Sequence, residues 1–221
     1  MLMRWQHPEQ GLVPPGQFIP LAEESGLIVP MTRHLMRRVR DELLPHADRL
    51  PEAFHVGINI TADHCRDLVL IDECRAFLDD FPPGRIVLTL ELTERQMIAS
   101  TTITEQLFST LRDMGVRIAI DDFGTGHSSL AYLRAFQVNY LKMDQSFVAM
   151  IGTDALSHHL LENIVDLSTR LDLGIVAEGV ETDEQSDYLR RRGVQYLQGY
   201  LYAKPMPIAA LLTTLQKGVP S

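Results

Sequence analysis

Short apolar runs rich in Val and Ile alternate along this chain with longer stretches of helical period. The runs are Phe54–Ile60, Ile86–Leu92, Val116–Ile120, Tyr140–Met143, Gly174–Ala177 and Val194–Leu197. Each is short enough to be a strand and too uniformly apolar to have one wet face. Between them, Met31–Leu44 sets Leu35, Met36, Val39 and Leu43 on one face and leaves Arg33, Arg37, Arg38 and Arg40 mostly outside. Thr102–Met114 carries Ile103, Leu107, Leu111 and Met114 and stops at Gly115. Asp154–Leu171 carries Leu156, Leu160, Ile164, Leu167 and Leu171 and stops near Gly174. Such spacings predict amphipathic helices with glycine at the C-terminal stop. Strand–helix alternation with buried strands predicts an α/β fold, a parallel sheet covered by helices.

The residue that closes each run sharpens the picture. Asn59, Glu91, the pair Asp121 and Asp122, Lys142, Glu178 and Gln198 stand at or near the C-terminal ends of six successive strands. A single polar residue there is most often a turn or a cap. Six in a row point to a barrel of the TIM (β/α)8 type, whose loops converge on one pocket at that end. An open doubly wound sheet would use mainly the loops at its switch point.

Composition narrows the class. A chain of 221 residues with 45% hydrophobic content can bury a sizeable core. No apolar stretch is long enough for a transmembrane helix, and MLMRWQHPEQ lacks the apolar core of a signal peptide. Cys65 and Cys74 have neither metal-type spacing nor a disulfide framework, so the cytoplasm is the default location. A net charge of −9 argues against a protein that coats nucleic acid. It leaves room for a phosphate-bearing substrate if cations intervene.

The strand-end residues are that kind of place. Adjacent carboxylates at the end of a buried strand repel and lose hydration unless a cation compensates. Carboxylates with amide oxygens, and no Cys or His cluster, suit Mg²⁺ or Mn²⁺. Two such ions form the arrangement for displacement at phosphorus. Lys142 could orient an attacking water, or it could close a structural salt bridge. Ser128 and Ser129 in GTGHSSL do not form a nucleophile elbow, and Gly124 and Gly126 read as the hinges of a mobile loop. On residues alone, a barrel enzyme acting on some other phosphorylated small molecule stays open.

The motifs RWQHPEQGLVPPGQFIPLAEESGLI, GINIT, LELTE, AIDDFGTGHSSLAYL, LKMD, VAEGVET and QGYLYAKPMP stand in this order over nearly the whole chain. In them the chain resembles the EAL domain, the cyclic di-GMP phosphodiesterase family of bacterial signalling. The resemblance implies metal-dependent hydrolysis of cyclic di-GMP to linear pGpG by a two-metal barrel. It implies Asn59, Glu91, Asp121, Asp122 and Glu178 as ligands of the metals or their waters, with Asp121 bridging. Lys142 would hold the nucleophilic water, Gln198 would support it, and Glu94 would steady the loop after DDFGTG. Arg4 would meet a substrate phosphate. It also implies a homodimer through that loop and the following helix, with no membrane or nucleic-acid contact by the domain itself.

The departures carry expectations too. The name-giving motif normally begins with a glutamate, E-A/V-L-x-R-W, whereas here Met1 takes its second position. The expectation is an EAL domain over residues 1–221 whose barrel is incomplete at the N-terminus, one or two strands and the motif glutamate being absent. A catalytically inactive domain that binds cyclic di-GMP, or only scaffolds, is the alternative that this departure raises.

Overall fold

The computed structural model of the chain describes residues 1–94, 98–125, 133, 136–152 and 155–217, the side chains of 155–158 and 216–217 excepted. A two-stranded antiparallel hairpin comes first, β1 (Trp5–His7) and β2 (Gly11–Val13), with Trp5 opposite Val13. Helices α1 (Pro15–Glu24) and α2 (Ile28–Leu43) follow. Then come β3 (Phe54–Ile60), a short 3-10 turn (Ala62–Cys65), α3 (Val69–Leu78), β4 (Ile86–Thr93), α4 (Thr102–Asp113) and β5 (Arg117–Phe123). The chain continues through β6 (Tyr140–Met143), α5 (Gln145–Ala149), α6 (Ala155–Arg170), β7 (Gly174–Ala177), α7 (Asp183–Arg191), β8 (Tyr196–Leu197) and α8 (Ile208–Lys217). Strands β3 to β8 form one parallel sheet in sequential order. That order, with helices described between successive strands except β5 and β6, is the winding of a TIM-type barrel.

All six expected strands and all three expected helices are present, with shifted ends that have local causes. Helix α2 begins at Ile28 rather than Met31, because Pro30 falls in the first turn, where its missing N–H is not needed. Strand β5 begins at Arg117 because Val116 N–H donates to Leu111 O and, with Gly115 at φ +83°, closes α4. Val194 N–H does the same for α7, donating to Leu189 O after Gly193, so β8 shrinks to Tyr196–Leu197.

Side chains alternate across each strand, so register decides what shares a face. Val56, Ile58 and Ile60 of β3 and Leu88, Leu90 and Leu92 of β4 are buried in one core with Leu107 and Leu111 of α4. The opposite, concave face is read from the pairing. Asn59 sits beside Glu91, Thr93 beside Asp121, Lys142 beside Val176, and Val176 beside Tyr196. Stepping by two along each strand, Asn59, Glu91, Asp121, Lys142, Glu178 and Gln198 all belong to that face.

Among the described residues, β3 and β8 are each paired on one side only. Beside β3 runs an open apolar groove of about 1240 Å³, lined by Met1–Trp5, by α1 and α2, and by Ile208 and Leu211 of α8. The Met1 ammonium donates to the Gly57 carbonyl on this edge. No described helix is long and apolar enough to cross a membrane.

Candidate active site

Lys142 is the centre of the site. It lies in β6 at 6% exposure, and its ammonium reaches carboxylates from three other strands. Nζ stands 2.7 Å from Glu178 Oε1, 2.9 Å from Asp121 Oδ1 and 3.1 Å from Glu91 Oε2. Burial works against the charged lysine, but Glu91, Glu178 and Asp121 outweigh it and hold its pKa above the ordinary value. The side chain is therefore an ammonium with three donors, all committed to carboxylates. Burial acts on Glu178 in the other sense: it lifts the carboxyl above its ordinary pKa although Lys142 opposes the rise.

Two consecutive aspartates in a regular strand would point to opposite faces. Here they converge. The β5–β6 register shifts between Ile120 and Phe123, and Asp122 takes a left-handed backbone at φ +54°. Asp is one of the few residues that visits this conformation at modest cost. Its amide donates to Asp121 Oδ1 at 3.1 Å. As a result Asp121, Asp122 and Glu178 each offer a carboxylate oxygen, all within 4.8 Å of one another. A hard divalent cation takes such all-oxygen donors. These three residues fit a site for such a cation on their own geometry, with Glu91 and Asn59 on strands of the same face.

Glu94 lies just past β4. Its N–H donates to Asp121 O at 3.0 Å, and its Oε2 accepts the Gly124 N–H at 2.9 Å. It ties the strand that carries the aspartates to the start of the next loop. The rest of that loop, including Gly126, Ser128 and Ser129, and with it the segment expected to form a dimer, lies outside the described residues. Gln198 is exposed at the end of β8, and its backbone is bonded to Ala177 O and Val180 N. Arg4 is exposed on the groove, with Nη1 donating to Met3 O at 2.9 Å, and the structure records no contact between it and the carboxylates.

One residue of the site was missed in the sequence. A side chain at Gly57 would put its Cβ 2.2 Å from Glu91 Oε1, so only glycine lets the Glu91 carboxylate lie across β3. The signal was a lone glycine inside the strand HVGINI, a mark of close approach.

With that geometry in place, comparison with known proteins separates the readings. The sequence profile of the EAL domain matches residues 1–205. The chain belongs to the EAL domain family. It is 47% identical over 207 residues to the cyclic di-GMP phosphodiesterase PdeL of Escherichia coli (strain K12), covering 94% of this chain and 57% of that protein. It is 39% identical over 210 residues to the cyclic di-GMP phosphodiesterase NbdA of Pseudomonas aeruginosa, covering 95% of this chain and 27% of that one. The chain thus spans well under two thirds of these relatives. Among solved structures, the PaMucR phosphodiesterase in complex with c-di-GMP superposes with a TM-score of 0.84 at 37% identity, covering 95% of this chain and 85% of the other. An EAL domain protein from Listeria monocytogenes gives a TM-score of 0.76 at 27% identity, covering 97% and 83%. The TIM-like α/β architecture of this EAL domain is therefore that of its relatives.

Proposed function

We propose that this EAL domain hydrolyses cyclic di-GMP to linear pGpG, using two Mg²⁺ or Mn²⁺ ions, in bacterial second-messenger signalling. The observation that carries the reading is the convergence of Asp121, Asp122 and Glu178 beside an ammonium bonded to three carboxylates. The names of the relatives add the substrate. Asp121, Asp122 and Glu178, with Glu91 and Asn59, would hold the cations. Divalent cations bound there lower the pKa of a water and neutralise phosphate charge.

The chain's own residues do the rest. Lys142 would orient the attacking water by releasing one of its three carboxylates, once cations take them up, and donating that N–H to the water. The carboxylate of Glu178, beside the Lys142 ammonium, would accept the water's proton. Water adds to one ring phosphorus, one P–O ester bond breaks, and the proton taken from the water passes to the departing oxygen, which leaves as a hydroxyl. Glu94 keeps the Asp121–Gly124 segment in place meanwhile. Arg4 is assigned to a substrate phosphate and Gln198 to the water network. The free, buried Cys65 and Cys74 support a reducing compartment, the cytoplasm.

The test is product analysis by mass spectrometry on the chain with cyclic di-GMP, with Mn²⁺ and with a chelator, for wild type and Asp121→Asn. Linear pGpG that needs Mn²⁺ and disappears in the variant is expected. Full cleavage by Asp121→Asn would sink the assignment. Binding without any cleavage by the wild type would favour the non-hydrolytic alternative.

A further inference from the structure

Three of the turns that follow site-bearing strands are closed by the same local device. A threonine N–H is accepted by the side chain three residues on. After β3, Thr61 N–H donates to His64 Nδ1 at 3.0 Å. After β4, Thr101 N–H donates to Thr104 Oγ1 at 2.8 Å, and after β7, Thr182 N–H donates to Gln185 Oε1 at 3.1 Å. These are capping boxes, with threonine first and an acceptor at the fourth place. They hold the turns beyond Asn59, Glu91 and Glu178.

The first box differs from the other two. An amide N–H can only donate, so His64 Nδ1 must be bare and the ring proton must sit on Nε2. That Nε2–H is buried, the residue being 3% exposed, and it has no hydrogen-bond partner among the described residues. Buried polar groups without partners are rare and call for an explanation. Gln185 does the same capping work with no buried donor left over. What imidazole adds is a flat, stiff acceptor on two torsions, wedged in a turn that packs against α3 and α4.

We propose that His64 is a positioning residue for Asn59. By fixing Thr61, two residues beyond Asn59, the ring holds the end of β3 in register with β4, where Asn59 is paired with Glu91. This rests on reading Asn59 as one of the residues that hold the cations, and the experiment separates the two.

The probe is MnCl2 titrated calorimetrically into the 221-residue chain, with circular dichroism to confirm folding. His64→Leu removes the acceptor and should weaken Mn²⁺ binding about tenfold, as loss of a supporting partner does. His64→Gln should restore most of the affinity, because it keeps an acceptor within reach. In an Asn59→Ala background, His64→Leu should have no further effect on Mn²⁺, since the residue it positions is gone. An undiminished effect there would show that His64 does not act through Asn59 and would overturn the proposal. If Asn59→Ala weakens Mn²⁺ binding and folded His64→Leu does not, the positioning role alone falls. If Asn59→Ala leaves binding unchanged, the metal reading of Asn59 falls and takes the proposal with it. Should His64→Leu not fold, His64→Gln is compared with His64→Ala, which offers no side-chain acceptor to Thr61. Lower Mn²⁺ affinity for His64→Ala supports the proposal, and equal affinity overturns it.

Discussion

The two ends of the concave face are built from the same strands and solve opposite problems. At the N-terminal ends, His55, Tyr140 and Tyr196 form a triangle of rings with centroids 5.6–6.0 Å apart. Arg117, which shares the face, adds to burial in lowering the His55 pKa. These groups satisfy one another by edge and tilted contacts, and nothing further is required to hold them. At the C-terminal ends, Glu91, Asp121 and Glu178 bond the Lys142 ammonium, and Asp122 offers a further carboxylate beside Asp121 and Glu178. That end is short of positive charge. One end of the sheet is finished by the protein alone, and the other gathers carboxylates that could hold a metal ion. A glycine serves each: Gly174 clears space for the Tyr140 ring, as Gly57 does for Glu91.

Lys142→Ala tests the contrast most severely. It leaves three partly buried carboxylates around an empty centre. Breaking a buried pair in this way costs about 3–5 kcal/mol. We expect a large fall in Tm that Mn²⁺ partly reverses, because an ion that binds only the folded state stabilises it by linkage. Turnover should fall roughly 100- to 1000-fold, the scale for losing a preorganised donor. Tyr196→Ala, at the other end, should lower Tm without any special response to Mn²⁺. If Mn²⁺ rescued both variants equally, the two ends would not differ in the way described.

A pH titration of stability comes next. Burial holds the His64 pKa down at about 4, against about 6.5 in the unfolded chain. Between those values the unfolded chain takes up a proton that the folded chain refuses. The stabilisation is therefore fully present above pH 6.5 and is lost as pH falls towards 4, by about 3 kcal/mol in all. Unfolding in urea at pH 7 and pH 4.5 should show His64→Gln losing much less stability than wild type over this interval. Equal losses would mean that His64 is not buried as a neutral ring.

The two glycines give a matched pair. Alanine at Gly57 would meet Glu91 Oε1 at 2.2 Å, and alanine at Gly174 would meet Tyr140 Cδ1 at 2.6 Å. Each overpacked side chain must move, at about 1–3 kcal/mol. Only Gly57→Ala should also weaken Mn²⁺ binding in calorimetry, since it alone displaces a carboxylate of the site. A comparable loss of Mn²⁺ affinity in Gly174→Ala would couple the two ends and contradict their independence.

Much of this was legible in the sequence because strand period is simple. Six apolar runs, each closed by a polar residue, were enough to place Asn59, Glu91, Asp121, Lys142, Glu178 and Gln198 at one end of a parallel sheet. What a period of two could not give was Asp122. Its convergence depends on a register shift and a left-handed backbone, and no side-chain pattern announces either. Helices α1, α3, α5, α7 and α8 and the hairpin of three-residue strands were not assigned, being either too short or too weakly patterned to stand out. Lys142 was readable as a water holder or as a salt-bridge partner. The structure shows the salt bridges, and the water-holding role belongs to the proposed function.

The smallest effect expected is at Glu94, and it separates loop from metal. Its carboxylate receives the N–H of Gly124, a residue at φ +99° where a Cβ would strike Phe147 at 2.7 Å. The loop's first turn is thus set by glycine geometry and packing as well as by this bond. Removing the carboxylate in Glu94→Ala exposes the Gly124 N–H to water rather than burying it unpaired, so the cost should be about 1 kcal/mol. Hydrogen exchange at Gly124 should quicken by roughly fivefold, the factor such an energy corresponds to. Mn²⁺ affinity should change less than twofold, because the Glu94 N–H bond to Asp121 O is made by backbone and survives the substitution. A large loss of Mn²⁺ affinity would move Glu94 into the set of residues that hold the cations. Unchanged exchange at Gly124 would show that packing against Phe147 alone holds the turn.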